Sequence, residues 1–476
     1  MIHLLETQAQ ANWLVEQDNA AFLALTHRLV QDFTTDGTMS KKPSQAQSIL
    51  IVESEPLHFL AGFLAAHTTH QRIFLGNPQW GQTEWQQAMA IAQPDHVWGN
   101  HAHLASSCLP QPSDAPCLIT PTSGEYAAPP QAPPPLIMVP TGGSSGKIRF
   151  VMHTWQTLAA AVAGFQQYFN VDAVNSLCVL PLYHVSGLMQ VMRSLFSGGK
   201  LWLAPFQSLK LGQFPPIDPS EWFISLVPTQ LQRLLNQPHG QPDSQLDDQP
   251  NIASWLARCQ TVFIGGAPTW PDLLNQARTQ NIPVSLCYGM TETAAQIVAL
   301  RPNDFLSSRD KEGAPTVGQL LPHAHITIVN DQNKAMPPGS IGQIKITTKS
   351  LALGYYPTCW STEKAGSEFF TDDGGYFDDQ GYLTLVGRLS DKIITGGENV
   401  FPAEVEAAIW ATNLVIDIAV VGVSDTYWGQ CVTAIYVPKD PTLLPQITER
   451  QLADQLHGII AQYKCPKTWI SVKALP

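Results

Sequence analysis

Three short segments of this chain carry the residue types that phosphate and nucleotide chemistry needs. The first is residues 141–147, TGGSSGK, directly after the apolar run LIMVP. Glycines let backbone N–H groups turn inward around an anion, and hydroxyls add donors. Lys147 and Arg149 supply charge. The spacing is not that of the common P-loop, which needs four residues between its glycines and a Ser or Thr after the lysine. Here three residues separate Gly142 from Gly146, and Ile148 follows Lys147. The second segment is residues 288–292, YGMTE, after the apolar run VSLC. An aromatic ring, a hydroxyl and a carboxylate so close together can serve a base, a phosphate and a divalent cation; Mg²⁺ favours oxygen ligands and often takes one protein carboxylate beside nucleotide phosphates. The third is residues 371–406, which place Asp373 before a turn, Arg388 at the end of a strand and Gly396-Gly397 in a tight loop. Charged residues at such points can fix ribose hydroxyls. Each segment alone is weak: a Gly/Ser-rich turn is as often a plain loop, an isolated acid is usually solvated, and Asp–Gly turns are usually hairpins.

The elements that must position these residues are legible as short apolar runs. SILIV, RIFLG and HVWGN in residues 48–100 alternate with a helical stretch over residues 57–66, which suggests a parallel sheet. Residues 109–135 are proline-rich and read as an exposed connector. From residue 135, LIMVP, LCVLP, LWLAP, WFISLVP, VFIGG and VSLCYG end at glycine, proline or tyrosine, as buried strands with functional groups at their ends would. ITIVN, GQIKITT and GYLTLVGR, within residues 325–388, read as a more antiparallel region. From about Ser390 a small α/β unit follows. Its helix AEVEAAIW precedes the strands DIAVVGV and VTAIYV, and residues 448–463 are expected to form an amphipathic helix with Leu452, Leu456, Ile459 and Tyr463 on one side.

Bulk properties bound the reading. At 476 residues, 44% hydrophobic and 13% charged, the chain is globular and suits two or three domains. A net charge of −12 repels nucleic acid and anionic membranes at long range, so neither is an expected partner. Eight scattered cysteines form no CxxC pair and no zinc spacing, and read as reduced, buried residues. The N-terminus lacks a basic region followed by an apolar stretch, and no run of about 18 apolar residues exists, so neither a signal peptide nor a membrane span is expected. The cytoplasm is the expected location, and self-association into a homo-oligomer is compatible with the sequence.

In this order and at these separations the three segments resemble the acyl-/aryl-CoA synthetase superfamily of adenylate-forming enzymes, over roughly residues 136–476. The resemblance implies an α/β fold with a large N-terminal domain, residues 1–389, of parallel-type sheets and helices with a small antiparallel region. A small mobile C-terminal α+β domain, residues 390–476, would follow. It implies ATP, Mg²⁺ and CoA as co-substrates and cofactor, and a small carboxylic acid as substrate. Thr141, Gly142, Gly143, Ser144, Ser145, Gly146 and Lys147 would form a mobile loop around the β- and γ-phosphates. Gly265, Gly266, Ala267 and Pro268 would line the adenine pocket, with Tyr288 on the base and Gly289 beside it. Thr291 would contact the α-phosphate and Glu292 the Mg²⁺; Asp373 and Arg388 would hold the ribose. Gly396 and Gly397 would admit the pantetheine thiol, and Ser390 would be the hinge.

Residues 181–199 and 225–235 resemble the 2-succinylbenzoate–CoA ligase branch, which serves menaquinone and phylloquinone biosynthesis. An acid with an aromatic ring and two carboxylates needs a part-apolar pocket that also holds the unreacted carboxylate. His184, Ser186, Arg193 and Thr229 are candidates, and His184 can also polarise the acid. A ligase for another aryl or acyl acid and a non-catalytic nucleotide-binding relative are the alternatives.

The chain departs from the superfamily pattern twice. Ile148 and Arg149 stand where relatives carry proline and lysine. Arg149 keeps the charge with different geometry, and whether it or Lys147 meets the γ-phosphate is open. The superfamily's lysine after a C-terminal LP has no counterpart before Pro476, since Lys464, Lys467 and Lys473 all precede the LP. Either that lysine lies beyond Pro476 in the natural protein, which is the expected case, or the natural protein has lost it. The 476-residue chain is therefore expected to form acyl-adenylate slowly yet turn preformed acyl-adenylate into thioester. Single-turnover assays of each half-reaction check this, and ordinary adenylation by this form would refute it.

Overall fold

The computed structural model describes residues 2–35, 47–101, 103, 135–142, 147–236, 251–307, 316–360, 368–442, 445–457 and 459–475. Nearly all of the proline-rich stretch 109–135, and residues Gly143, Ser144, Ser145 and Gly146, lie outside the described residues. Two sheets build the large N-terminal domain. The first runs, in spatial order, Thr358–Cys359, Gly354–Tyr355, Ile148–His153, Ile137–Gly142, Arg72–Leu75, Ser48–Ile51 and His96–Trp98. The last four of these are parallel, whereas Ile137–Gly142 and Ile148–His153 form an antiparallel hairpin connected through the glycine-rich segment. The hydrophobic run 49–52 is sealed from water on both faces, as a parallel strand under helices requires. One cover is the helix Pro56–Thr68, which starts on a proline with Glu55 accepting from the His58 N–H at 2.7 Å. Its Gly62 lets the Trp98 ring lie against the helix, since a Cβ there would fall 2.1 Å from that ring.

The second sheet has eleven strands: Ala324–Val329, Gly342–Thr348, Glu368–Phe377, Leu383–Arg388, Thr316–Leu320, Ala295–Ala299, Val284–Met290, Thr261–Ile264, Trp222–Leu226, Asn175–Cys178 and Leu201–Leu203. Its last five members are parallel and its first six antiparallel. The two halves correspond to the non-alternating apolar runs and to the alternating segments of the sequence respectively. The smaller C-terminal domain is a sheet of Glu398–Val400, Ile393–Thr395, Gly429–Pro438 and Val415–Asp425, with Thr468–Ser471 parallel on Gly429–Pro438. It has its own core, centred on Val405, Ile409, Val432, Tyr436, Leu452 and Leu456.

One expectation is overturned. The amphipathic helix covers Pro445–Leu456 and stops, leaving Ile459 63% and Tyr463 39% exposed. Leu452 and Leu456, four residues apart, both reach the core of this domain. The glycine at 458 is a poor helix former, and beyond it Ile460, rather than Ile459 or Tyr463, packs against that core.

The two domains touch through the helices Pro271–Thr279 and Pro402–Ala411. Trp270, which precedes the first, and Trp410, on the second, stack with centroids 5.5 Å apart and planes 18° from parallel. Such a pair contributes about 0.5–1.5 kcal/mol beyond its buried area. Trp410→Ala is expected to raise the tryptic cleavage rate at Arg388 and Lys392 up to about tenfold while leaving the main thermal transition in place. An unchanged rate would mean that the stack does not hold the seam.

Candidate active site

The parallel strands Asn175–Cys178, Trp222–Leu226, Thr261–Ile264 and Val284–Met290 are neighbours, so their C-terminal ends share one edge of the sheet. In open α/β sheets ligands bind beyond that edge. The residues that follow each strand there are His184 and Ser186, Thr229, Gly265–Pro268, and the segment from Tyr288 to Glu292. Sequence distance between them is large; the strand order removes it.

The turn at Thr291–Thr293 is the most constrained element. The strand entering it shifts register at Tyr288/Gly289, and a Cβ on Gly289 would lie 2.1 Å from the Ala295 carbonyl oxygen. The chain leaves it through Ala294 and Ala295 with φ of +53° and +73°. Left-handed backbone at residues other than glycine costs about 1 kcal/mol or more each and persists only where neighbours enforce it. The enforcement is visible. Met290 N–H donates to Thr293 Oγ1 at 3.0 Å, Ala352 N–H to the Glu292 carbonyl at 2.8 Å, and the Ser350 hydroxyl to the Thr293 carbonyl at 2.8 Å. His153 Nε2 meets the Thr291 carbonyl at 2.7 Å. Burial drives the His153 pKa down to about 4, against the opposing effect of that carbonyl.

Glu292 is buried, and its Oε1 accepts from the Tyr355 hydroxyl at 2.6 Å. Burial first, and then that carboxylate, push the Tyr355 phenol upward, so it stays a donor. The Arg149 guanidinium lies 4.6 Å from the centroid of the Tyr355 ring. Arg149 faces Thr141 in the hairpin, and Gly142 faces Ile148. Lys147 is exposed at the start of the returning strand. Among the described residues no cationic side chain is paired with Glu292. A buried carboxylate whose one side-chain hydrogen bond comes from a phenol suits Mg²⁺ beside nucleotide phosphates.

Tyr288 and Asp373 form a second pair, with the hydroxyl 2.7 Å from Oδ2. Asp373 lies opposite Arg388 across the strands Glu368–Phe377 and Leu383–Arg388. Burial raises the Asp373 pKa, and the Tyr288 hydroxyl and Arg388 pull it back. Tyr288 is pushed well above its usual value by burial and then by Asp373, so the phenol donates and the carboxylate accepts. The next residue back, Asp372, accepts from the N–H of Ser390 at 3.1 Å and from its hydroxyl.

The remaining expected residues divide. Gly265 and Gly266 leave their strand with Gly266 at φ +81°, and a Cβ on Gly265 would sit 2.7 Å from Cys287 Sγ. Ala267 and Pro268 are exposed beside them. Gly396 and Gly397, at φ +59° and +86°, form an exposed hairpin tip against Trp428, away from any contact with the sheet edge among the described residues. His184, Ser186 and Thr229 are exposed at the edge. Arg193 is not with them. It lies two and a half turns along Val185–Ser197, roughly 13 Å from His184. It is buried, with Nη2 donating to Gln296 Oε1 at 2.9 Å and its guanidinium over the Phe165 and Phe263 rings at 4.4 and 5.7 Å. Burial lowers its pKa to about 10, which leaves it cationic.

Four residues in this network carry no role in the sequence reading: His153, Tyr355, Asp372 and Gln296. Tyr355 follows a glycine in GYYP and His153 precedes the helix-capping threonine of HTW, but neither signal names the residue it would touch.

Comparison with known proteins gives the family and the fold. The AMP-binding enzyme family matches residues 43–356, and the AMP-binding enzyme C-terminal domain matches residues 404–476. A 2-succinylbenzoate–CoA ligase of Enterococcus faecalis is 35% identical over 336 residues, 69% of this chain and 63% of that protein. One from Oceanobacillus iheyensis is 31% identical over 347 residues, 71% of this chain and 66% of that protein. The chain thus spans just under two thirds of the length of the curated relatives it matches. The o-succinylbenzoate CoA synthetase of Bacillus subtilis, solved with its acyl-adenylate intermediate, shares the fold with a TM-score of 0.77 at 22% identity, covering 99% of this chain and 95% of that one. The chain belongs to the AMP-binding enzyme family.

Gly289→Ala tests the tightest point of the site. Backbone, not a movable side chain, opposes the new Cβ, so a cost of at least about 2 kcal/mol is expected, seen as a melting temperature roughly 5 °C lower. An unchanged melting temperature would show that the strands have room to part.

Proposed function

We propose that this protein is an ATP-dependent, AMP- and pyrophosphate-forming acid–CoA ligase of the cytoplasm, and that its acid is 2-succinylbenzoate. The observation that carries the reading is the meeting of Thr291-Glu292, Tyr288–Asp373–Arg388 and the Thr141/Arg149 hairpin around one sheet edge.

The substrate carboxylate attacks the α-phosphorus of ATP and pyrophosphate leaves; the CoA thiol then attacks the acyl carbon and AMP leaves. The first step needs positioning and charge neutralisation more than proton transfer. Glu292, with one oxygen on Tyr355, would hold Mg²⁺, which would supply neutralisation of phosphate charge. The Thr291 hydroxyl contacts the α-phosphate. Both Lys147 and Arg149 are exposed, and Arg149 faces the γ-phosphate, since its guanidinium rests on the ring of Tyr355, whose hydroxyl bonds Glu292. Residues 141–147 wrap the triphosphate, Gly265–Pro268 take the adenine with the Tyr288 ring, and Asp373 with Arg388 takes the ribose. Residues 390–476 turn about Ser390 between the steps, which releases the Ser390–Asp372 contact and brings Gly396-Gly397 to the thiol's path.

The unreacted aryl carboxylate is held by His184, Ser186 and Thr229, whose parent strands are adjacent. Arg193 serves from behind by holding Gln296. The names of the relatives from E. faecalis and O. iheyensis support this acid.

Calorimetry with non-hydrolysable acyl-adenylate analogues of 2-succinylbenzoate, benzoate, coumarate and a medium-chain acid separates the substrates. The succinylbenzoyl analogue is expected to bind at least about tenfold tighter than the rest, the value of one charge-assisted hydrogen bond. Equal binding would remove the specific acid, and binding of all analogues without turnover of a preformed acyl-adenylate would indicate a non-catalytic relative.

A further inference from the structure

His153 ends the strand that begins just past the glycine-rich loop, and it is sealed from solvent. Both ring nitrogens are engaged, Nδ1 at 3.0 Å from Thr157 Oγ1 and Nε2 at 2.7 Å from the Thr291 carbonyl oxygen. A carbonyl oxygen can only accept, so Nε2 carries the proton.

The Thr291–Thr293 turn is gripped from outside at each of its three carbonyls. Two grips, Ala352 N–H on Glu292 and Ser350 Oγ on Thr293, come from one short segment. The third, on Thr291, comes from His153 and ties the turn to the hairpin strand. Arg149 lies four residues earlier on that strand and therefore on the same face. It stacks on Tyr355, whose hydroxyl holds the Glu292 carboxylate. One strand thus holds this dipeptide twice, by its backbone through His153 and by its carboxylate through Arg149 and Tyr355. The turn exits through two left-handed alanines, so it would not keep this shape unaided.

We propose that His153 is a positioning residue of the nucleotide site. Its bond to the Thr291 carbonyl fixes the turn so that the Thr291 hydroxyl and the Glu292 carboxylate meet the magnesium-bearing triphosphate together. This role rests on the ligase reading above. A space-filling role alone would be met equally by an apolar ring of similar volume, which separates the two explanations.

The test compares the unmodified full chain with His153→Phe, His153→Gln and His153→Asn. The Gln amide nitrogen reaches the place of Nε2, whereas the Asn amide reaches only that of Nδ1. Calorimetry with ATP in the presence and absence of Mg²⁺, single-turnover adenylation, and conversion of preformed acyl-adenylate are measured for each. His153→Phe and His153→Asn are expected to weaken binding of MgATP about tenfold, the value of one lost hydrogen bond in a buried charged site. Binding of Mg²⁺-free ATP and conversion of acyl-adenylate should stay within about twofold, and His153→Gln should restore MgATP binding. If His153→Phe does not fold, the Gln/Asn contrast carries the same readout. Equal MgATP binding by all four proteins, or equal losses with and without Mg²⁺, overturns the role of His153 and leaves the ligase reading intact. Failure of the unmodified chain to bind MgATP overturns the ligase reading, and the role of His153 with it.

Discussion

A buried carboxylate that no cationic side chain among the described residues pairs is the constraint around which this protein's site is built. Desolvating Glu292 is unfavourable unless hydrogen bonds or a metal compensate it. The Tyr355 hydroxyl supplies one bond at 2.6 Å, and the turn that carries Glu292 is held at each carbonyl. Those contacts come from the strand Ile148–His153 and the segment 350–355, which pair with each other in the first sheet. Glu292 itself leaves the second sheet. The carboxylate therefore sits where the two sheets meet, and its position depends on both.

A second consequence concerns the boundary between the domains. Asp372 and Asp373 are successive residues of one strand, at the point where its register with Gly342–Thr348 shifts. Asp373 accepts from Tyr288, and Asp372 holds Ser390. The carboxylate nearest the expected ribose position and the anchor of the expected hinge thus share a strand. Arg388, opposite Asp373, is two residues from Ser390. Occupancy of the nucleotide site and the freedom of the hinge are mechanically adjacent, with the Trp270–Trp410 stack as a further contact across the same seam.

Arg193 illustrates how packing decides what a charged residue meets. A cation on the helix after a pocket motif suggested an anion partner. The helix buries it against Phe165 and Phe263, where the ring faces and Gln296 take the place of a carboxylate. Gln296 in turn lies on the strand paired with Gly289, so the arginine supports the site from the core side.

The sequence by itself determined the elements and the chemistry they display. Unbroken apolar runs marked the buried parallel strands, alternating ones marked the antiparallel region, and TGGSSGK, YGMTE and the Asp373–Arg388 pair marked the nucleotide chemistry. These are local properties, set by side-chain periodicity and by spacing of a few residues. Helix length failed even locally, since the helix ends at Leu456 and Ile460 reaches the core from beyond it. Only the tertiary structure decided which residues meet. His153 and Thr291 are 138 positions apart, Tyr288 and Asp373 85, and Tyr355 and Glu292 63. Such contacts follow from strand order and from which sheet each strand joins, and no local pattern encodes them. The same three-dimensional packing sent Arg193 to the core and gave Arg149 a fixed seat on Tyr355, because burial and neighbours, not residue type, decide what a charged side chain can touch.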